Sequence, residues 1–356
     1  MNMNEKVLMK GNEAIAEAAI AAGCRHFFGY PITPQTEVAA YMSKRMPKIG
    51  GVYLQAESEV ASINMVYGAS AAGARGMTSS SSPGISLKSE GISYMAGADL
   101  PGVIVNVQRG GPGLGGIQPS QADYFQATKS TAHGDFHILV FAPSTVQETV
   151  DMIATAFELG DKYRMPAMVL SDGMLGQMME PVVLPEAREP DNDSKDWAVS
   201  GHKDKREHNV VNSLYINPQE LETLVKARFE RYAEIKEKHQ MAEEYLADDA
   251  DIIIVAYGSS SRVSRSAIDA ARKQGIKVGM IRPITLWPFP EKVIEKHVGH
   301  AKAFLSVEMS MGQMVDDVKL VVNGRVPVEF YGRTGGMIPT PNEVLEQIVR
   351  INGGVQ

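Results

Sequence analysis

Three polar side chains that could take part in a reaction come after short apolar runs: Thr33, Glu59 and Arg109. Apolar runs of this length, interrupted by glycine, proline or a polar helix start, predict strands of a parallel sheet. Because the carboxyl ends of parallel strands meet at one edge, we expect a hydroxyl, a carboxylate and a guanidinium to share one site. A carboxylate can accept or deliver a proton, and a guanidinium binds a small carboxylate through paired N–H groups.

Each of these residues also has a purely structural explanation. Thr33 would cap a helix that has Pro34 at its first position. Glu59, following the plausible N-cap Ser58, would complement the dipole of its helix. Arg109 would be an ordinary surface arginine in front of a flexible loop.

The glycine-rich loop behind Arg109 has two interpretations. Residues 111–116 formally fit the dinucleotide pattern G-x-G-x-x-G. That pattern needs a helix to begin at its last glycine, and Pro119 blocks an early helix. A loop without Cβ atoms beside an arginine better suits the binding of a small anion, so a nicotinamide-dependent dehydrogenase is disfavoured.

The elements that must position these residues alternate between strand and helix. Strands near 26–28, 52–54, 77–82, 102–107, 136–141 and 167–170 are separated by helices, the first capped at Asn12. This alternation predicts a doubly wound α/β domain over residues 1–187. Residues 188–247 form a polar linker and an amphipathic helical arm over 218–246, and a second α/β domain occupies 248–356.

Composition restricts the class of protein. A net charge of −7 and a pI of about 5.7 argue against nucleic-acid binding. We see no signal peptide and no apolar run of membrane-spanning length, which predicts a soluble, cytoplasmic protein. The single cysteine, Cys24, excludes an internal disulfide and a four-thiolate iron–sulfur cluster within the chain. We interpret it as a packed residue rather than a reactive thiol.

Five segments together resemble the α subunit of the 2-oxoacid:ferredoxin oxidoreductases. They are residues 30–34 (YPITP), Ser58-Glu59, 109–112 (RGGP), 281–290 (IRPITLWPFP) and 332–336 (GRTGG). The resemblance implies a thiamine-type pyrimidine-binding domain followed by a transketolase C-terminal-like α/β domain. It extends over nearly the whole chain and is weakest in residues 189–246.

The resemblance also assigns roles. Glu59 matches the glutamate that hydrogen-bonds the aminopyrimidine ring of thiamine diphosphate and starts proton transfer within the cofactor. Arg109 and Thr33 match residues near the carboxylate and keto group of the 2-oxoacid. Tyr30 and Pro31 would lie against the cofactor.

The sequence lacks a Mg²⁺–diphosphate anchor of the type Gly-Asp-Gly followed by Asn. Gly134-Asp135 continues with Phe136 and Gly160-Asp161 with Lys162, so neither fits. We therefore expect a β subunit with the Mg²⁺ site, further γ and ferredoxin-like subunits carrying the coenzyme A and iron–sulfur functions, and ferredoxin as electron acceptor. The chain alone should be inactive.

The loop after Arg109 bears on the substrate. It has Gly113, Leu114 and Gln118 where many 2-oxoglutarate-type members have hydroxyl residues, and it is similar to the branched-chain subunits. Few hydroxyl donors suit an apolar tail, because burying a distal carboxylate without partners is costly. The prediction is 3-methyl-2-oxobutanoate; 2-oxoglutarate and a non-catalytic scaffold role are the alternatives.

Overall fold

The computed structural model describes residues 6–190, 195–202 and 204–354. The strands are β1 (Val7–Lys10), β2 (His26–Gly29), β3 (Val52–Gln55), β4 (Gly76–Ser80), β5 (Gly102–Gln108), β6 (Leu139–Phe141), β7 (Pro166–Asp172), β8 (Met179–Val182), β9 (Ala242–Tyr245), β10 (Ile252–Val255), β11 (Val278–Pro283), β12 (Thr285–Trp287), β13 (Ala303–Glu308) and β14 (Val328–Gly332). The helices are α1 (Gly11–Ala21), α2 (Thr36–Arg45), α3 (Glu59–Ala71), α4 (Pro83–Gly97), α5 (Tyr124–Thr128), α6 (Val146–Tyr163), α7 (Gly173–Gln177), α8 (Pro218–Lys238), α9 (Gly258–Lys273), α10 (Glu291–Val298), α11 (Met314–Val322) and α12 (Pro341–Gly354).

The larger sheet has the strand order β12-β6-β7-β5-β4-β2-β3 within the described ranges. Its strands pair in parallel except β12, which forms one edge and pairs antiparallel with β6. The central strands β5 and β7 are buried along their full length, as expected for strands covered by helices on both faces. The doubly wound α/β fold predicted for the first half is confirmed.

The second sheet has the order β14-β13-β10-β11-β9. Its inner strands are parallel and β9 pairs antiparallel with β11. A separate core of aliphatic side chains lies between this sheet and the helices α9 and α12. The second α/β unit is therefore confirmed as well, and a two-stranded ribbon of β1 and β8 lies outside both large sheets.

Each large sheet contains one pair of neighbouring strands whose outgoing connections run toward opposite edges of the sheet. In the first sheet this lies between β2, followed by β3 on one side, and β4, followed by β5 on the other. In the second sheet the same argument places it between β10 and β13. Ligands of open α/β sheets bind in the crevice outside the carboxyl ends of such strands.

Two predicted helix starts are wrong. Helix α2 begins at Thr36 with Gln35 before it, so Thr33 lies in the preceding turn and is not its N-cap. Asn12 lies inside α1, where its side chain is buried and donates to Pro34 O and Glu37 Oε2, both at 2.8 Å. Asn12 uses its side chain for tertiary contacts rather than for capping. Thr33 lies three residues before the first residue of α2.

The predicted helical arm is only partly correct. Helix α8 ends at Lys238, and residues 242–245 form β9 of the second sheet. Tyr232 is buried against the rest of the protein, but Leu221 and Phe229 are exposed, so the predicted apolar stripe is not fully covered. No helix in the described part of the chain has the length and apolar character needed to cross a membrane.

The domain limits 1–187, 188–247 and 248–356 stay a prediction, and two strands cross them. Strand β9 belongs to the second sheet although it precedes residue 248, and β12 belongs to the first sheet although it follows that residue. Residues 191–194 and 203 of the predicted linker lie outside the described part of the chain.

Candidate active site

Glu59 begins α3 and is buried, with 5% of its surface exposed. The N-cap prediction for the preceding residue is confirmed, since the Ser58 hydroxyl accepts from Ala61 N at 3.1 Å. Ser58 thus fixes the start of the helix and leaves the Glu59 side chain free of any capping task. Among the described residues, no hydrogen-bond donor and no cation within ion-pair distance reaches the Glu59 carboxylate.

The carboxylate of Glu59 packs closely against the start of α4. A Cβ atom at Gly84 would lie 2.8 Å from Glu59 Oε1 and closer still to Ser80 Oγ, so only glycine fits there. The hydroxyls of Ser80 and Ser81, at the end of β4, are buried and without a partner among the described residues. Buried polar atoms are normally paired, so these two hydroxyls at the end of β4 are exceptions.

Arg109 follows β5 and is 6% exposed. Its Nη1 donates to Thr33 O at 2.9 Å and its Nη2 to Leu114 O at 3.0 Å. Its Nε is buried and has no acceptor within the described chain. The two carbonyls fix the orientation of the guanidinium and use one N–H of each Nη, which leaves a second N–H on each for a small anion.

The backbone of Arg109 is held by Ser82. Arg109 N donates to Ser82 Oγ at 3.0 Å, and the Ser82 hydroxyl lies 2.6 Å from Asp123 Oδ2. Ser82 adopts a φ of 25°, which is unusual for a residue with a side chain and indicates a constrained position. Burial raises the pKa of Asp123, against the effect of the donors Ser82 and Asn106 and of the Arg109 charge.

The second α/β unit supports the glycine loop behind Arg109. Gly110 lies so close to Gly335 and Gly336 that an added Cβ would be 3.3 Å from Gly336 N. A Cβ at Gly336, whose φ is 93°, would overlap with Gln118. The glycine motifs of the two halves, which the sequence could only place on separate domains, therefore pack against each other.

The structure brings Arg109 and Thr33 into direct contact, through the carbonyl of Thr33 rather than its hydroxyl. The Thr33 side chain is exposed beside the guanidinium. The segment 80–84 connects Glu59 to them. Gly84 packs against the Glu59 side chain, and Ser82 Oγ accepts from Arg109 N. Tyr30, which is 36% exposed, and Pro31, also exposed, lie between the end of β2 and Thr33.

Sequence reasoning missed Ser80, Ser82 and Lys88, although each left a signal. The run Ser79–Ser82 before Pro83-Gly84 is a polar strand end leading into a helix, the same type of signal that singled out Glu59. Lys88 falls on the apolar stripe of α4, between Ile85 and Ile92, where a charged residue is unexpected.

Cys24 lies away from this crevice and is completely buried. Burial raises the pKa of its thiol to about 12, so it stays protonated at neutral pH. Its sulfur lies near the carbonyls of His26 and Arg75, at 3.4 and 3.5 Å. This agrees with the interpretation of Cys24 as a packed residue.

Comparison with known proteins places the chain in a family. Residues 17–248 match the family described as pyruvate flavodoxin/ferredoxin oxidoreductase, thiamine diphosphate-binding, and residues 250–344 match pyruvate:ferredoxin oxidoreductase core domain II. The protein therefore belongs to the 2-oxoacid:ferredoxin oxidoreductases, as an α-type subunit with a thiamine diphosphate-binding domain.

Relatives within the family differ in substrate. The chain is 50% identical to the ketoisovalerate oxidoreductase subunit VorB of Methanothermobacter thermautotrophicus, over 97% of this chain and 98% of that protein. It is 37% identical to the 2-oxoglutarate synthase subunit KorA of Methanothermobacter marburgensis, over 98% and 99% of the two chains. The protein is thus a subunit of an oxidoreductase complex.

Two solved structures share the fold. The 2-oxoglutarate:ferredoxin oxidoreductase of Magnetococcus marinus, solved with 2-oxoglutarate, coenzyme A and succinyl-CoA bound, superimposes with a TM-score of 0.84 at 28% identity. The match covers 99% of this chain and 66% of that one. A split-gene transketolase, at 13% identity and a TM-score of 0.60, shares the fold alone over 96% of this chain and 97% of its own.

The crevice fits the pyrimidine end of thiamine diphosphate. A ring nitrogen of the aminopyrimidine needs a carboxyl partner, and Glu59 offers a buried carboxylate without a competing donor among the described residues. The absent Cβ at Gly84 leaves room for that carboxylate at the start of α4.

Proposed function

We propose that the chain is the α subunit of a heteromeric enzyme that oxidatively decarboxylates 3-methyl-2-oxobutanoate to the acyl-CoA and CO₂ while reducing ferredoxin. One observation carries this proposal: Glu59 is only 5% exposed at the crevice between β2 and β4, and its carboxylate has no partner among the described residues. The names of the VorB relatives support the branched-chain substrate.

In this function each residue of the crevice has a role. Thiamine diphosphate, when bound, supplies the carbanion that attacks the keto carbon and the electron sink that allows CO₂ to leave. Glu59 accepts a hydrogen bond at its carboxylate and exchanges a proton with the aminopyrimidine ring. Arg109 orients the substrate carboxylate through its free N–H groups, and the exposed Thr33 hydroxyl lies beside the keto group. Tyr30 and Pro31 exclude water from the rim.

The cleft next to Thr33 supports an apolar substrate tail. This space of about 420 Å³ is lined by Thr33, Pro34, Thr36, Glu37, Ile117, Gln118, Pro119, Gly173 and Gln177. None of these lining residues is a cation. Although burial opposes the effect, hydrogen bonds from Gln177 and Asn12 lower the pKa of Glu37 and keep it ionised. The distal carboxylate of 2-oxoglutarate would meet this negative charge without a partner.

The remaining functions belong to other subunits in this proposal. The two Gly-Asp pairs of the chain do not continue as a Mg²⁺–diphosphate anchor, and one cysteine cannot hold a four-thiolate cluster. A β subunit brings the Mg²⁺ site, and γ and ferredoxin-like subunits serve coenzyme A and electron transfer. We also propose a cytoplasmic location.

Reconstitution with the partner subunits tests the proposal. The lone chain should be inactive, and the complex should have a kcat/KM for 3-methyl-2-oxobutanoate at least about tenfold above that for 2-oxoglutarate, in the range that one buried unpaired charge costs. A preference for 2-oxoglutarate would establish the second candidate, which the KorA relatives represent. A complex that keeps its full rate after Glu59→Ala would instead show a scaffold role.

A further inference from the structure

Lys88 is a charged residue buried inside the domain. It lies on α4, has no exposed surface and belongs to the largest fully buried side chains. Its Nζ donates to Thr78 Oγ1 at 3.0 Å, to the Ser62 hydroxyl and to Glu59 O at 3.4 Å. All three acceptors are uncharged, and within the described residues no carboxylate oxygen lies within ion-pair distance of Nζ.

Such a position is costly in free energy. A buried ammonium gives up its hydration, and here only hydrogen bonds to uncharged groups replace it. A lysine that merely filled space could be replaced by an apolar side chain of similar length. Burial lowers the pKa of Lys88 to about 7, and the negative charge of Glu59 opposes this effect. The charge that acts favourably on Lys88 is therefore that of the candidate catalytic carboxylate.

The contacts of Lys88 converge on the turn that carries Glu59. Ser62 Oγ donates to Glu59 O at 2.9 Å and at the same time accepts from Lys88, so both bonds close the first turn of α3. Thr78 lies on β4, two residues before Ser80, which packs beside the Glu59 carboxylate across Gly84. Lys88 thus connects the three elements α3, β4 and α4 that surround this carboxylate.

We propose that Lys88 is a positioning residue for Glu59: it ties the first turn of α3 to β4 and places a positive charge near the Glu59 carboxylate, beyond ion-pair distance. The charge offsets part of the cost of burying Glu59, while the hydrogen bonds fix the direction of its side chain. The catalytic part of this inference rests on the proposed function; the coupling of the two charges does not.

The first measurement is a double-mutant cycle on the unfolding of the full chain. Lys88→Met and Glu59→Gln are made singly and together, and urea unfolding is followed at neutral pH. We expect the destabilisation caused by Lys88→Met to fall to about half or less when Glu59 is already Gln, because the paired charge is gone. Additive effects would overturn the inference.

The second measurement is made on the reconstituted complex. We expect Lys88→Met to weaken thiamine diphosphate binding, measured by titration calorimetry, by about tenfold and to lower kcat by about 30-fold, with the KM for the oxoacid changed by less than about twofold. Arg228→Met is the matched control, because Arg228 is 5% exposed, pairs with Asp99 and contacts the far end of α4. Equal effects of the two variants on affinity and kcat would overturn the inference.

A milder variant covers the case in which Lys88→Met does not fold. Thr78→Val removes one acceptor of Lys88 and keeps the shape of the side chain. In that case the same cycle with Glu59→Gln decides, and independence of the two changes overturns the inference. If Glu59→Gln leaves the rate of the complex intact, the proposed function fails, while the unfolding cycle still reports whether the two charges are coupled.

Discussion

The two α/β units of this protein treat the same topological position in opposite ways. In the first unit the crevice between β2 and β4 contains polar atoms without a partner in the described ranges, among them Ser80 Oγ and Arg109 Nε. In the second unit the crevice between β10 and β13 is filled by Gln121, which comes from the first unit. Its Nε2 donates to Tyr257 O at 2.7 Å, and its Oε1 accepts from Met309 N at 3.0 Å.

The buried glutamates of the two crevices show the same contrast. Glu308, at the end of β13, is fully buried and accepts five hydrogen bonds. The donors are Ser306 Oγ, Ser310 Oγ, Gln313 N, Met314 N and Val315 N, at distances of 2.8 to 3.1 Å. Glu59, at the start of α3, accepts none among the described residues. A saturated carboxylate is a structural element, whereas an open one remains available for a ligand.

The difference indicates how one fold divides its tasks. The crevice between β10 and β13, filled by Gln121 and called the plugged crevice below, joins the two units. Gln121 follows the Arg109 loop directly and fixes it to the second sheet. The second unit thereby supports the Arg109 loop, while the crevice between β2 and β4, called the open crevice, is not filled by it in the described ranges. The contrast predicts that changes in the open crevice affect rate and changes in the plugged crevice affect stability.

Glu59→Gln should produce the largest effect. We expect kcat of the reconstituted complex to fall by at least about 10³-fold, equivalent to about 4 kcal/mol, because a neutral amide cannot exchange the proton. The free energy of unfolding should change by less than about 1 kcal/mol, since the lost attraction to Lys88 is offset by no longer burying a charged carboxylate. Steady-state kinetics and urea unfolding measure the two quantities.

Glu308→Gln is the matched counterpart of that variant. The amide group cannot accept all the N–H groups at the start of α11, and we expect a loss of about 3 kcal/mol in unfolding free energy. Once folded and assembled, the complex should keep its kcat within about threefold. A large loss of kcat with intact stability would contradict the proposed division between the crevices.

The sequence predicted the elements of both units better than their boundaries. Buried strands such as β5 and β7 are long apolar runs and were recognised as such. The short strands β9 and β12 were missed because they have mixed polarity and pair at sheet edges, where distant residues decide the structure. Asn12 was misjudged because a tertiary partner, Pro34 O, replaces the local capping bond.

The sequence predicts those site residues that follow a recognisable strand. Thr33, Glu59 and Arg109 each follow a recognisable strand, so their convergence follows from parallel topology alone. Local sequence could not show that Arg109 contacts the carbonyl of Thr33 instead of its hydroxyl, or that Gly336 packs on Gln118. These contacts join residues far apart in the chain, and their geometry depends on how the two units pack.

Gln121→Ala tests the plug itself. With this change Met309 N loses its acceptor, and Tyr257 O keeps only Ser260 Oγ, at 2.9 Å, among the described side chains. We expect a loss of about 2 kcal/mol in unfolding free energy. Because the Arg109 loop loses its anchor, the KM for the oxoacid should rise about fivefold in the complex, a small misplacement effect. Gln347→Ala is the control, since the Gln347 Oε1 accepts from Arg350 Nε on the exposed side of α12. Equal results for the two variants would show that the plug has no special role.

His137 provides the smallest effect, at a third contact between the two halves of the chain. Its half-buried ring stacks on Trp287 of β12 with 4.7 Å between ring centres, and it lies beside Tyr232 of α8. Burial, with the nearby charges of Lys236 and Lys129, lowers the pKa of His137 from 6.5 to about 4. The unfolded chain therefore binds this proton more readily than the folded one, so the contribution to stability is complete above pH 6.5 and is lost as the pH falls toward 4.

Replacement of His137 by Phe keeps an aromatic ring on Trp287 and removes the titration. We expect the unfolding free energy of His137→Phe to fall by about 1 kcal/mol less than that of the unchanged chain between pH 7 and pH 4.5, because solvent screens the half-buried ring. His133→Phe, in the exposed part of the same loop, should follow the unchanged chain. Parallel curves for all three proteins would mean that this contact depends on packing alone. The interface would then rest on the hydrogen bonds of Gln121, and acid would weaken it only through carboxylates such as Asp317, which pairs with Lys129 across the two units.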